Sequence, residues 1–330
     1  MGRKQHAGPK NPPLASTADK HSLYHESVQA PRRECQTLAN IYRHLSQQHP
    51  IIPPRILRED FCGTAILCHE WVHRDVNREA IGIDLDKEVL EYGRRRLEDS
   101  VEGERVRLVH EDVRKVKGLK ADILCALNYG ICYLHKRREL VSYLRNCKED
   151  LNENGVFICD LFGGLTAHTG QYGRKHRGSN FEFCNALFIQ YFFEQTPVDT
   201  VSSLAKCRLH FRFEDGKLAH YCSSWMKNAF SYEFRLYTIR EVREAMEEAG
   251  FTQTHIWISR AKSKRSHANR TEEDEIDDEE SADEDDEDED EDEDEEDEDE
   301  EDADDEYQKV EGDHYPALKS WNAYLVGKVE

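Results

Sequence analysis

Ile56-Leu-Arg-Glu-Asp-Phe-Cys-Gly-Thr-Ala65 is the stretch that decides the fold. It opens as an apolar run of strand length and tightens into a turn of small residues. Ala65 to Arg74 follow at once with helical spacing. A turn between a parallel strand and the next helix lies at the carboxyl edge of the sheet, where ligands bind in open α/β folds. Small side chains there let backbone amides approach a ligand closely.

Working outward, further strand-length runs occur at Ala80 to Leu85, Val106 to His110, Asp122 to Leu127 and Val156 to Leu161, the first strand being Arg55 to Glu59. Helical patterns at Lys87 to Leu97 and Lys136 to Leu151 separate them, the latter with Leu140, Leu144, Cys147 and Leu151 on one face. Asn154-Gly155 makes a turn into the fifth strand. This alternation predicts an α/β fold, a doubly wound and mostly parallel Rossmann-like sheet with helices on both faces. After Gly163-Gly164 the texture changes. Residues 165–180 read as a loop, and residues 181–237 alternate aromatic and polar positions around Glu214-Asp-Gly216, as a small antiparallel insertion does. The aromatics of this segment (Phe181, Phe183, Phe192, Phe193, Trp225, Phe230, Tyr232, Phe234) are expected to form a core of its own.

A helix at Ile239 to Ala249, closed by Gly250, leads to strand-like residues Thr252 to Ser259, and the chain ends on Ser320 to Gly327. Pairing of these last two runs completes a seven-stranded sheet and loops out the residues between them, which is tolerable because closure entropy grows only logarithmically with loop length. The predicted organisation is a disordered arm over 1–20, a helical lid over 21–54, a ligand-binding core over 55–164 and the insertion over 165–237. The end of the core sheet falls at 238–260 and 315–330, with a disordered acidic insertion over 261–314. The lid is read as one helix from Leu23 to Gln48, stopped by Pro50, Pro53 and Pro54.

The net charge of -23 is unevenly spread. Residues 272–306 hold 31 acids, which leaves 37 against 45 Lys and Arg elsewhere, a balance of about +8. Such a tract cannot bury enough apolar surface to fold. It reads as a solubilising segment, or as a binder of basic proteins or of the chain's own basic surface. The ten cysteines include no CxxC pair, follow no secretory leader and fall partly in apolar strands, so they are expected to stay reduced. No apolar run reaches membrane-spanning length, and His6 stands where a myristoylation motif needs Ser or Thr. A cytoplasmic or nuclear protein without a membrane partner is expected.

The strand ends carry acids in order. Glu59 ends the first strand, Asp84 follows about twenty residues later at the end of Ile81-Gly-Ile-Asp-Leu85, and Asp112 lies in His110-Glu-Asp-Val113 after the third. One acid at a strand end is as readily a solvated loop carboxylate, whereas three in succession are not. The series resembles the class I S-adenosylmethionine-dependent methyltransferases. More narrowly, Arg58-Glu-Asp-Phe-Cys-Gly-Thr-Ala65 and Asp160-Leu-Phe-Gly-Gly164 resemble a poorly characterised subgroup of that family. Its usual turn has an acid and three glycines, but here Phe61 and Ala65 replace the outer two and Gly63 remains. The resemblance implies S-adenosylmethionine as cofactor. Glu59, Cys62, Gly63 and the nearby backbone would hold its methionine part, Asp84 with Leu85 the ribose, and Asp112 with Val113 the adenine.

The resemblance also places Asn128 of Ala126-Leu-Asn-Tyr-Gly130 toward the reacting methyl, as a positioning residue, with Tyr129 and Tyr133 on the substrate wall or packing at the sheet edge. Asp160 either faces the pocket or caps the turn. Tyr24 and Arg33 are candidates for a lid over the cofactor. His69-Glu-Trp-Val-His73 matches the HExxH pattern of zinc peptidases, but a third ligand is not in sight and the helix opens from the ligand-binding turn, so no metal is predicted. The expected acceptor is a small molecule or a protein. Nucleic acid is not favoured, because no basic stripe interleaved with aromatics stands out. The rival readings are a non-catalytic methyltransferase-fold scaffold, an acidic chaperone for basic proteins and, remotely, the zinc peptidase.

Overall fold

The computed structural model describes residues 15, 18–46, 52–98, 100–176, 187–215, 223–260, 307–312 and 314–329. Strands β1 (Ile56–Asp60), β2 (Glu79–Asp84), β3 (Val106–His110), β4 (Ala121–Ala126) and β5 (Leu151–Gly163) pair in parallel. A second sheet consists of β6 (Gln171–His176), β7 (Leu187–Gln195), β8 (Leu204–Asp215) and β9 (Ser223–Arg235), all antiparallel. The chain then returns to the first sheet through β10 (Gln253–Arg260), β11 (Tyr307–Lys309) and β12 (Trp321–Lys328). The main sheet has the order β11-β10-β12-β5-β4-β1-β2-β3, with β12 antiparallel to both β5 and β10.

Side chains of β4 and β5 alternate between two cores, as the period of a strand requires. Leu124, Phe157, Cys159 and Leu161 face helices α5 (Arg137–Glu149) and α7 (Ile239–Ala249). Ile123, Cys125, Val156 and Ile158 face α2 (Pro31–Leu45) and α3 (Ile66–His73). Burial on both faces explains why these strands read as continuous apolar runs. A capping box of Thr238 and Glu241 opens α7, and Gly250 at φ 100° closes it. Among the described residues, no helix is long and apolar enough to cross a membrane.

Four expectations need correction. The single N-terminal helix is two, α1 (Lys20–Val28) and α2, because Pro31 starts α2 and bars helical geometry before it. The arm expected over 1–20 stops short of Asp19, whose carboxylate caps α1 at His21 N (3.0 Å) and receives the Tyr92 hydroxyl. The loop expected over 165–180 contains a short helix, α6 (Leu165–Thr169), and β6. Among the described residues the main sheet has eight strands instead of seven. The extra strand, β11, falls inside the segment assigned to the acidic loop, where Ser259 pairs with Tyr307 and the Tyr307 ring meets Tyr324 at 4.6 Å. Three residues are too few to show alternation. The acidic run at 272–306 lies outside the described residues, as do Phe181 and Phe183.

Candidate active site

The turn after β1 uses a left-handed backbone three times, at Phe61 (φ 60°), Gly63 (φ 55°) and Ala65 (φ 56°). A residue with a Cβ adopts this region at a cost of about 1–2 kcal/mol, so Phe61 and Ala65 hold a glycine conformation under strain. Cys62 N donates to Ile83 O (3.0 Å), Ala65 N to Cys62 O (2.9 Å), and Gly63 N to Asp84 Oδ2 (2.8 Å). The other oxygen of Asp84 receives Asp86 N at 2.9 Å. Burial pushes the Asp84 carboxyl above its usual range despite these bonds. The first residues of α4 (Lys87–Glu98) are capped by Asp86 Oδ1, which accepts Glu88 N at 2.9 Å.

Above the carboxyl ends of the parallel strands lies a cavity of about 1470 Å³. Its floor carries Cys62, Gly63, Asp84 and Leu85 on one side, Asn128, Tyr129 and Asp160 on the other. Asp112 and the buried Val113 lie at the β3 end. The Asp112 carboxylate is gripped by Arg114 through Nε–Oδ1 (2.9 Å) and Nη2–Oδ2 (2.7 Å), and these hydrogen bonds hold it below the usual carboxylate range.

Glu59 does not line this cavity. It is 3% exposed beneath the turn, its Oε2 accepts the Cys68 thiol (3.3 Å), and burial holds it well above the usual range. The expectation that its side chain faces the ligand is therefore corrected: Glu59 stands two places before the turn, on the face of β1 covered by α3, where it meets Cys68. Its neighbours Arg58 and Asp60 are fully buried and pair with each other at 2.8 Å.

Asn128 (φ 54°) and Tyr129 (φ 63°) are consecutive left-handed residues at the end of β4. Asp160 of β5, one residue past its pairing with β4, holds them by accepting both backbone amides, Tyr129 N at 2.7 Å. It thus caps the turn and faces the cavity at once. Gly130 follows because a Cβ there would sit 2.7 Å from the Phe61 ring. The Tyr129 hydroxyl donates to Asn322 Oδ1 (3.1 Å), and its ring meets Phe162 at 4.6 Å.

α1 and the second sheet roof the cavity. Tyr24 and Arg33 line it. His25 fastens α1 to the turn: Arg96 Nη1 donates to His25 Nδ1 (2.7 Å), which leaves the neutral ring to donate from Nε2 to Thr64 Oγ1. Burial and then Arg96 hold the His25 pKa down to about 4. From the second sheet, Phe230, Tyr232 and Phe234 alternate along β9 onto one face, with Tyr232 and Phe234 stacked at 5.3 Å. Tyr133 meets Phe234 at 5.1 Å.

These aromatics do not simply form the insertion's own core. That core is Ile189, Leu209, Phe211 and Phe213 with Leu23 of α1; Phe230 packs against it and also lines the cavity, while Phe193, Tyr232 and Phe234 face the cavity. Sequence reasoning also missed Glu34, a cavity residue on α2, and Phe61, read only as a missing glycine. The spacing of Phe230, Tyr232 and Phe234 at every second residue was the available signal. In the HExxH segment, His69 meets Ser100 Oγ (3.3 Å), Glu70 pairs with Arg74 (2.9 Å), and His73 pairs with Glu102 (3.3 Å). Among the described residues, no group of three or more His, Cys, Asp or Glu is placed to hold a metal ion.

The fold, with β3-β2-β1-β4-β5 followed by the antiparallel β12 and β10, is that of the class I methyltransferases. An S-adenosylmethionine-dependent methyltransferase from Clostridium acetobutylicum ATCC 824 superimposes with a TM-score of 0.55 at 15% identity, covering 94% of this chain and 98% of that one. DesVI from Streptomyces venezuelae gives 0.54 at 16% identity, over 73% of this chain and 92% of its own. CalS10 from Micromonospora echinaspora, an amino pentose methyltransferase with S-adenosylmethionine bound, gives 0.50 at 15%, over 77% and 94%. No protein-family model matches the chain, and no curated protein sequence matches it.

Proposed function

We propose that this chain is an S-adenosylmethionine-dependent methyltransferase, of the subgroup its turn and Asp160-Leu-Phe-Gly-Gly164 resemble, acting on a small molecule. The observation that carries the reading is Asp84, a half-buried carboxylate at the end of β2 that both organises the turn through Gly63 N and lines the cavity. The carboxylate can accept about four hydrogen bonds and takes the amides of Gly63, Asp86 and Leu85, so an acceptor position remains for a ribose hydroxyl. Cys62 and Gly63 would hold the methionine part by backbone, with Tyr24 closing over it. Val113 and Leu85 would pack on the adenine and ribose. Asp112 would take the adenine amino group by sharing its carboxylate with Arg114. When bound, S-adenosylmethionine supplies a methyl group already made electrophilic by its sulfonium, so the protein's part is to align a nucleophile and exclude water. Asn128 and Tyr129, fixed by Asp160, are the positioning residues at that point.

A cavity of about 1470 Å³ exceeds the usual ~300–1,000 Å³ of a single-ligand pocket, and it is roofed by α1 and β9. Room for two ligands under a roof supports a small acceptor over a protein side chain. Residues 272–306 would act separately, as a binder of basic proteins. Calorimetric titration with S-adenosylmethionine tests the reading: micromolar binding to the wild type, lost in Asp84→Ala, is expected. A folded wild-type protein that binds no S-adenosylmethionine would instead support the scaffold reading.

A further inference from the structure

The geometry points to a basic amine as the methyl acceptor, held as its ammonium ion by Asp160 within the aromatic wall of Tyr129, Tyr133, Tyr232 and Phe234, with Asp160 taking the proton that the nitrogen must lose. This inference rests on the methyltransferase reading and deepens it.

Position comes first. Across the sheet edge the ligand-facing groups run Asp112 on the β3 side, Asp84 after β2, the Phe61–Ala65 turn after β1, Asn128 after β4 and Asp160 at β5. A cofactor whose adenosyl end lies toward β3 and β2 reaches the β1–β4 boundary with its methyl. Asp160 then stands one strand beyond, on the acceptor side.

Chemistry selects the acceptor. Asp160 accepts backbone amides, those of Tyr129, Asn128 and its own residue, and keeps an acceptor position toward the cavity. Among the described residues, the ionisable groups around it are Glu34 on α2, Tyr24 on α1, Tyr129 and Cys132 after β4, Cys159 beside it on β5, and Tyr324 on β12, while Arg33 lines the same cavity. The phenols and the two thiols are all pushed up by burial and stay neutral at pH 7. Burial, with Glu34 adding to it, pushes Asp160 up to about 7. A carboxylic acceptor would meet two carboxylates in a buried wall. An alcohol is too weak an acid for a base of this strength. An ammonium ion satisfies the carboxylate, and ring faces stabilise cations by about 0.5–2 kcal/mol each. Tyr133 with Phe234 (5.1 Å) and Tyr129 with Phe162 (4.6 Å) build such faces.

The step balances without a further reactant. The ammonium N–H proton passes to the Asp160 carboxylate, and the freed nitrogen lone pair forms the new N–C bond to the methyl. The C–S bond breaks with its electrons left on sulfur, and Asp160 releases its proton to solvent after product leaves.

Two probes test this directly. S-Adenosylhomocysteine reports the cofactor site alone, whereas sinefungin adds a primary amine where the transferred methyl would be. Both are titrated into wild-type protein and Asp160→Asn between about pH 5.5 and pH 8.5. The expected result is that sinefungin binds the wild type about tenfold tighter or more at pH 8, that this advantage shrinks below about pH 7, and that Asp160→Asn removes it while leaving S-adenosylhomocysteine affinity unchanged. An advantage that is absent, independent of pH, or retained in Asp160→Asn overturns the inference while the cofactor reading stands. Wild-type protein that binds neither probe overturns both. If Asp160→Asn does not fold, the pH dependence of the wild-type affinity ratio decides alone.

Discussion

Arg58→Met would cut the centre out of a buried charge cluster beneath the ligand turn. Arg58 Nε and Nη2 donate to Asp60 at 2.8 and 3.2 Å, and Nη1 donates to Asp150 at 2.6 Å and to Leu119 O at 3.3 Å. Tyr143 completes Asp60 from the other side (2.9 Å), and Gly118 N completes Asp150 (2.7 Å). The side chains are 0%, 0% and 5% exposed. Methionine fills much of the volume but leaves two carboxylates buried without a cation. Removing one partner of such a cluster costs about 3–5 kcal/mol, against a total stability of roughly 5–15 kcal/mol. The unfolded fraction should therefore rise by roughly 10²- to 10⁴-fold, read from urea denaturation at pH 7 with an unchanged m-value.

The sign of the pH dependence follows from Asp60, which burial already holds above its usual pKa. A carboxyl raised in the folded state stabilises the fold below its unfolded pKa and loses that contribution as pH rises through the folded value. Without Arg58 that value moves higher still, so the deficit should be largest at neutral pH and shrink toward pH 5. A deficit under about 1 kcal/mol, or one that does not change with pH, would refute the claim that the cluster is closed and dry.

Other outcomes follow from the turn and the lid. Ala65→Gly should stabilise the protein by about 0.5–1 kcal/mol by relieving a left-handed alanine, measured by the same denaturation. Phe61→Gly should destabilise it despite the same relief, because the ring packs against Gly130 and stacks near Tyr133. His25 has a folded pKa depressed to about 4, so its contribution is present above the unfolded value near 6.5 and is lost as pH falls between the two. Exchange protection of α1 amides should drop across that window in the wild type and stay flat in His25→Gln. Arg114→Ala should leave folding intact and change S-adenosylmethionine affinity by freeing Asp112, which calorimetry would detect.

The parallel half of the fold was readable because its strands are buried on both faces and its helices carry regular apolar stripes, as Leu140, Leu144 and Cys147 show. Asp84 was readable because a strand end followed by a helix start fixes where its side chain can point. Glu59 was misplaced, since the sequence ends the strand one residue early and does not show that this side chain faces α3. The double role of Asp160 depends on Asn128 and Tyr129 adopting left-handed backbone, which Tyr in particular does not announce. The cavity-facing ladder on β9 was visible as alternation, but which sheet it would cover depended on tertiary packing. β11 is held by pairing with β10, a partner far away in sequence, and local pattern carries no trace of it.

The pairing of Ser259 with Tyr307 has a consequence for how such a chain can diverge. The segment 261–306 leaves and re-enters the fold at adjoining points on the outermost edge of the main sheet, at the far side of β12 and β5 from the ligand turn. What any change in its length must keep is the return of Tyr307, which lines the cavity and packs on Tyr324 at 4.6 Å. A reporter or a second domain grafted between this pair of residues therefore has to return the chain in the Ser259–Tyr307 register.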